Sequence, residues 1–323
     1  MTVPRIAHVG CGYWGKNLAR NFAGLGALSV VVDGDEAVVQ RIAVETGTRV
    51  ASLDAVLTDP AIAGISIATP APTHFRIAKS AIEAGKHVFV EKPLALDVDE
   101  ARQLIELARQ AGIQLMVGHL LQYHPVFRKM RKMVGDGEIG PLRYVYSNRM
   151  SLGKFRTEEN VLWSFAPHDI SMILALAGSP CTSVTAQGAA IVTPGIEDWA
   201  LAQLAFENGL KAHVQTSWLH PFKEQRLVAI CQDGMLVFED SALDWNDKLM
   251  LYRHRIDTTG PVPLPHKAEC ERIAVPRAEP LREECRHFLD CIATNASPLT
   301  DGREGLAVLE VIRKAGDRLD STE

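Results

Sequence analysis

The chain of 323 residues lacks most of the features that would assign it to a membrane, a nucleic acid or a metal ion. No run approaches 18 consecutive apolar residues, so no membrane-spanning helix is expected. Residues 1–5 lead straight into an apolar strand pattern, which leaves no room for a signal peptide and implies a cytoplasmic protein. Cysteine is sparse. Cys11, Cys181, Cys231, Cys270, Cys285 and Cys291 show neither C-x-x-C spacing nor a metal-ligand pattern. Free thiols in a reducing compartment follow, with no metal site. Neither sign of charge dominates: 34 Lys and Arg against 39 Asp and Glu leave −5, which argues against nucleic-acid binding. Low-complexity tracts, long charge blocks and short internal repeats are absent.

What is present begins at Ile6. Ile6-Ala7-His8-Val9 reads as a buried strand, Gly10-Cys11-Gly12-Tyr13-Trp14-Gly15 follows, and a helical stretch runs from Lys16 to Leu25. A second strand, Leu28 to Val32, ends on Asp33. Each part has a task in holding a dinucleotide. Gly10 permits a tight turn, Gly12 lets the backbone approach a pyrophosphate, and Gly15 brings the helix close to the strand. The helix start attracts the phosphates. Asp33 can accept both ribose hydroxyls and would repel a 2′-phosphate, with Asp35 and Glu36 close behind it. NAD is therefore expected over NADP.

Residues 1 to about 120 alternate apolar strands (near 5–9, 28–32, 63–67, 87–90 and 114–117) with amphipathic helices (near 14–25, 36–46, 73–84 and 97–111). This predicts a doubly wound parallel sheet with ligands beyond the carboxyl ends of its strands. After about residue 122 the pattern changes. A helix near 123–134 precedes strands near 142–150, 182–190, 198–206, 210–218, 225–231 and 234–239, with a hairpin signal at Asn208-Gly209. One helix, about 167–177, interrupts them, residues 260–265 read as a loop, and helices near 280–294 and 302–320 close the chain. The expected fold is α/β plus α+β. Residues 1–122 form an NAD-binding Rossmann domain. Residues 123–323 form a domain with a largely antiparallel, open-faced sheet for substrate binding and oligomerisation.

Two side chains could do chemistry. Lys92, in Glu91-Lys92-Pro93, follows the fourth expected strand; it reads either as a surface lysine or as a group that hydrogen-bonds a substrate hydroxyl. Pro93 is a candidate cis residue. His168, in Trp163-Ser164-Phe165-Ala166-Pro167-His168-Asp169, reads as sitting near a helix start. Taken alone it serves equally as a packed or surface histidine; near a cleft it could act as acid and base. Arg149, Lys154, Arg156, Lys223 and Arg226 read as solvated surface or as partners for a diphosphate or carboxylate.

These segments together resemble the Gfo/Idh/MocA family of sugar and polyol oxidoreductases, over nearly the whole chain. The resemblance rests on Gly10–Asn17, on Ala68-Thr69-Pro70 with His74, and on Ala84–Val88 followed by Glu91-Lys92-Pro93-Leu94-Ala95. It continues in Val117-Gly118-His119 through Pro125 and in the closing stretch from Pro280 to Leu306. Lys92 matches the family's catalytic lysine and His168 its catalytic histidine. The histidine usually lies in a D-x-x-x-H segment, where this chain has Ser164. The segments Lys154–Trp163 and Ser217–Arg226 resemble the nucleotide-sugar 3-dehydrogenase branch.

The resemblance implies an NAD-dependent dehydrogenase that oxidises a secondary sugar hydroxyl. The implied substrate is a UDP-N-acetyl-hexosamine or its uronic acid, oxidised at C3, in surface-polysaccharide biosynthesis. The alternatives are a free-sugar or inositol dehydrogenase and a non-catalytic NAD-sensing regulator. The residues expected around the cofactor are Gly10, Gly12, Tyr13, Trp14, Gly15, Asp33, Thr69, Pro70, His74, Glu91, Lys92 and His119. Those expected around the substrate are Lys92, Tyr123, Lys154, Arg156, Trp163, His168 and Lys223. The strand-rich sheet needs a cover on each apolar face, so a homodimer or homotetramer is expected.

Overall fold

The alternating pattern of the first 122 residues closes into a six-stranded sheet in the computed structural model, which describes residues 3–153 and 155–320. Lys154 lies outside the described residues. In chain order the elements are β1 (Ile6–Val9), α1 (Gly15–Gly24), β2 (Leu28–Val32), α2 (Glu36–Thr46), β3 (Arg49–Val50) and α3 (Leu53–Thr58). Then come β4 (Gly64–Ile67), α4 (His74–Glu83), β5 (His87–Glu91), α5 (Val98–Ala111) and β6 (Leu115–Gly118). All neighbours pair parallel in the order β3-β2-β1-β4-β5-β6. The strand order reverses between β1 and β4, so the ligand crevice opens where Gly10–Gly15 and Ala68-Thr69-Pro70 leave those two strands.

The second half runs α6 (Pro125–Gly135), β7 (Leu142–Met150), α7 (Val161–Ala177), β8 (Cys181–Ala189), β9 (Trp199–Phe206) and β10 (Lys211–Ser217). It continues with β11 (Glu224–Cys231), β12 (Gly234–Glu239), β13 (Leu249–Tyr252), β14 (Arg255–Asp257), β15 (Leu264–His266) and β16 (Cys270–Arg272). Eight of these strands form one sheet, ordered β16-β13-β12-β11-β7-β10-β9-β8. Its pairs are antiparallel apart from β7 with β10. Asn208-Gly209 joins β9 to β10 as a hairpin. The stretch read as a loop at 260–265 runs into β15, which pairs with β14.

Helix α7 departs from expectation. Pro167 reads as a helix start, because proline suits a first turn. The start is six residues earlier, at Val161, where the Asn160 side chain accepts from the Trp163 N–H at 3.2 Å and caps the helix. Pro167 lies inside the helix, and His168 sits mid-helix rather than near its beginning.

The closing helices, α8 (Pro280–Thr294) and α9 (Gly302–Asp320), divide differently from the sequence reading. Two compact units result: Met1–Tyr123 with Glu279–Leu309, and His124–Ala278 with Glu310–Glu323. Helix α8 therefore belongs with the parallel sheet rather than with the 123–323 domain expected from sequence. The cause is apolar packing. Phe288 of α8 lies edge-on to Phe22 of α1 and Phe89 of β5, with ring centroids 6.4 and 5.8 Å away, and all three are fully buried. Such clusters add geometric attraction to area burial. Phe288→Ala should cost about 3–5 kcal/mol, as large-to-small aromatic changes in a core do. Urea unfolding followed by near-ultraviolet circular dichroism checks this; an unmoved midpoint would remove α8 from the core of the first unit.

Candidate active site

The first unit supplies a cradle for a dinucleotide. Gly10 takes φ +98°, and a Cβ on it would meet the Ala68 and Thr69 backbone at 2.6–2.7 Å. A Cβ on Gly15 would sit 1.8 Å from the Gly10 carbonyl oxygen, so α1 can touch β1 only through glycine. Gly12 is the opposite case. A Cβ there meets nothing within 4 Å, which leaves the outer side of the turn open for a pyrophosphate. Helix α1 has no side-chain cap at Trp14 and no acid in its first turn, so its positive end is not neutralised from within.

Asp33 stands at the end of β2 as expected and has a second task. Its Oδ2 accepts from the Cys11 N–H at 2.5 Å and its Oδ1 from the Asp35 N–H at 2.9 Å. The carboxylate thus holds the glycine turn in shape, and each oxygen retains a lone pair for a ribose hydroxyl. The residues present fit NAD.

At the far side of the crevice, the Trp14 indole N–H donates to Glu91 Oε1 at 2.5 Å, tying the glycine turn to the end of β5. Glu91 is buried, with its other oxygen 3.3 Å from the Lys92 N–H. Burial pushes the Glu91 carboxyl up, while the Trp14 bond and the Lys92 charge pull it back. Lys92 is half-buried, and the Lys92–Pro93 peptide is cis. Tyr13 is 89% exposed, with the Lys16 ammonium 5.3 Å from its ring centroid.

Other expected cofactor residues prove to be struts. The two ring nitrogens of His74 lie 2.7 Å from the Pro93 carbonyl and 2.8 Å from the Thr69 carbonyl. Two acceptors would suit an imidazolium, but burial dominates and lowers the pKa of His74, and the Lys92 charge lowers it further. Thr69 accepts from the Thr73 hydroxyl at 2.6 Å. His119 is buried, with Nδ1 2.6 Å from Glu304. Tyr123, expected at the substrate, is buried in the core of the first unit and gives its hydroxyl to Thr300 at 3.0 Å.

Sequence reading missed two buried groups here. His8 lies beneath the turn, 2.8 Å from the Gly10 carbonyl and 3.1 Å from Ser66, and burial lowers its pKa to about 4. A histidine in an otherwise apolar strand was the available signal. Glu284 of α8 is fully buried with no hydrogen-bond partner on either oxygen. Burial raises its pKa well above the usual carboxyl range, and the charges of Glu91 and Glu304 raise it further.

The second unit carries the remaining candidates. His168 is half-buried on α7, and Ser164 lies one helical turn before it. Trp163 is half-buried. Arg149 pairs with buried Asp169, and Arg226 pairs with Glu239 at 2.6 Å and Glu224 at 3.8 Å, so neither is spare. Arg156 holds only a loose contact to Glu159 at 3.6 Å, and Lys223 is exposed between β10 and β11. Among the described residues, no group of His, Cys, Asp and Glu could hold a metal, and no helix is long and apolar enough to cross a membrane.

A doubly wound sheet with this cradle, joined in one chain to a largely antiparallel sheet, defines an NAD-binding oxidoreductase acting on CH–OH groups. Residues 4–119 match the oxidoreductase family with NAD-binding Rossmann fold, and residues 127–237 match the Gfo/Idh/MocA C-terminal domain. The chain belongs to the Gfo/Idh/MocA family. It is similar to the UDP-N-acetylglucosamine 3-dehydrogenase of Acidithiobacillus ferrooxidans, 29% identical over 94% of each chain. A solved structure of that enzyme superposes with a TM-score of 0.88 over 99% of each chain, at 28% identity. The chain is also similar to the scyllo-inositol 2-dehydrogenase (NAD(+)) of Bacillus subtilis, 29% identical over 68% of each chain.

Two measurements check this site. Asp33 should make NAD bind more tightly than NADP by about 1.5–3 kcal/mol, the scale of charged hydrogen bonds. Asp33→Ala should narrow the gap in titration calorimetry, and equal affinities in the unaltered protein would reject the assignment. Glu284 gives a signed pH effect. Its raised folded pKa means that the folded state keeps a proton which the unfolded chain releases above roughly pH 4.3. Its contribution is therefore full below that pH and is lost as pH rises toward the folded pKa. Glu284→Gln removes this loss. The variant should gain on the parent by about 1.4 kcal/mol per pH unit above pH 5. A pH-independent difference in urea unfolding would mean that Glu284 is ionised in the fold.

Proposed function

We propose that this protein oxidises the C3 hydroxyl of a UDP-N-acetyl-hexosamine, or of its uronic acid, in surface-polysaccharide biosynthesis. The similarity to UDP-N-acetylglucosamine 3-dehydrogenase, which spans 94% of both chains, carries this reading. His168 accepts the hydroxyl proton, and Lys92 orients that hydroxyl and stabilises the charge that develops on its oxygen. NAD, which the Gly10–Gly15 turn and Asp33 would hold, would supply the hydride acceptor for the same carbon. Ser164 replaces the acid usual one turn before the histidine, so an imidazolium at His168 lacks carboxylate support from that position.

The diphosphate needs positive groups that are not already committed. Arg156 and Lys223 meet that condition, and Lys154 is the third candidate. We also propose a cytoplasmic location, which the six free thiols support because they suit a reducing compartment. We also propose a homodimer or homotetramer. Helix α7 covers one face of the large sheet at β7, β9 and β10. The other face presents a row of half-buried Tyr144, Tyr146, His213, Ile230, Met235 and Met250. A second copy would bury that row.

A free-sugar or inositol dehydrogenase is the second reading, favoured by the similarity to scyllo-inositol 2-dehydrogenase. UDP separates the two. Calorimetry of NAD-loaded protein with UDP should show binding that weakens by roughly 1.5–3 kcal/mol in Arg156→Ala or Lys223→Ala. Absence of UDP binding together with turnover of a free inositol would select the second reading. With UDP-N-acetylglucosamine, Lys92→Ala and His168→Ala should each lower NADH formation by about 10²–10⁴ while NAD binding persists. Wild-type turnover in either variant removes that residue from the chemistry.

A further inference from the structure

Asp169 follows His168 on α7 and is 1% exposed. Both of its carboxylate oxygens are engaged by β7. The Ser147 hydroxyl donates to Oδ1 and the Arg149 Nε–H to Oδ2, while Arg149 Nη2 lies 3.4 Å from Oδ1. Ser147 and Arg149 are two apart on the strand and so project from one face of the sheet, the face on which α7 packs.

Net stability does not account for this arrangement. Desolvation offsets most of the attraction in a buried ion pair, and apolar residues of similar volume often serve as well. Direction accounts for it better. Three bonds from a strand to one helical residue hold the helix against rotation about its own axis. Successive helical residues are about 100° apart. Fixing the direction of Asp169 therefore fixes that of His168. The helix needs such a hold at this point, because Pro167 offers no N–H to the Trp163 carbonyl and one rung of the helix is missing immediately before His168.

We infer that Asp169 is a positioning residue: anchored by Ser147 and Arg149, it aims the His168 imidazole. The inference rests on the reading of His168 as the base. It assigns no contact with substrate to Asp169 itself, and it gives Arg149 a task other than binding phosphate.

Asp169→Asn keeps the shape and the Ser147 bond but loses the ionic part, and Arg149→Lys keeps the charge but loses the fork. With UDP-N-acetylglucosamine and saturating NAD, each should lower kcat about tenfold while KM and NAD affinity stay within roughly twofold, the pattern of a transition-state loss. In a His168→Ala background the same substitutions should lower kcat no further, because residues acting through one another are not additive. An equal fall in that background, or wild-type kcat in Asp169→Asn, overturns the inference. If Asp169→Asn does not fold, Ser147→Ala leaves the ion pair in place and carries the same test. A second readout needs no substrate. The imidazole carbon–proton resonance of His168, assigned by its loss in His168→Ala, should move in Asp169→Asn; an unmoved resonance also overturns the inference. Full turnover in His168→Ala combined with a moved resonance would reject the base assignment and leave the positioning intact.

Discussion

The close approach of α1 to β1 at Gly15 is the constraint on which the first unit depends. The Gly10 carbonyl oxygen occupies the space that a side chain at residue 15 would need. Only this approach brings the helix start down onto the end of β1. Three bonds then hold the turn from separate directions: the Asp33 carboxylate from β2, the His8 ring from below, and Glu91 through Trp14 from β5. Each bond engages a group that sequence alone would assign to ligand or core. The cradle is thus formed by the fold before a dinucleotide arrives, which lowers the ordering cost of binding.

Carboxyl groups set the electrostatics behind that cradle. Glu91 is buried yet adjoins the Lys92 charge and the Trp14 N–H, so it is the better placed to keep a negative charge. Glu284 has no such donors and faces the charges of Glu91 and Glu304, so burial and repulsion both push its carboxyl up. Two charges there would repel in a medium that screens poorly. The Lys92 charge and the Trp14 N–H therefore act on Glu91 in the opposite sense to burial, whereas every cause at Glu284 acts upward.

Legibility from sequence followed pattern length. The parallel sheet was readable because five strands of four or five residues alternate with amphipathic helices. β3 was not, since two residues carry no periodicity. β14 to β16 are three residues each and largely exposed, so they too lack a readable pattern; β13, four residues with Leu249 and Leu251 buried, was missed although it alternates. Pro167 misplaced the start of α7 because proline suits a first turn, whereas the cap that decides it, Asn160, stands seven residues earlier. In the site, the glycine turn and Asp33 were readable as a motif. His74 and Tyr123 were assigned to ligands, whereas their polar atoms go to carbonyls and to Thr300. Sequence shows that a polar residue lies near a site, but burial decides whether its hydrogen bonds are already taken.

The arginines of the second unit show that principle most fully. Arg149, Arg156 and Arg226 look alike in sequence as basic residues of the second half, the first two shortly before His168 and the third in a later strand. Arg149 is nearly buried against Asp169, and exchanging that partner for a phosphate would leave a buried carboxylate uncompensated, at a cost of several kcal/mol. Arg226 is held by two carboxylates. Arg156 is 43% exposed and 3.6 Å from Glu159, a contact of the kind worth at most about 1 kcal/mol. Giving up the Glu159 contact would therefore cost Arg156 little, which is what the proposed diphosphate contact requires. The same side chain therefore serves as an internal anchor at two positions and stays exchangeable at the third, and the depth of the carboxylate already beside it decides which.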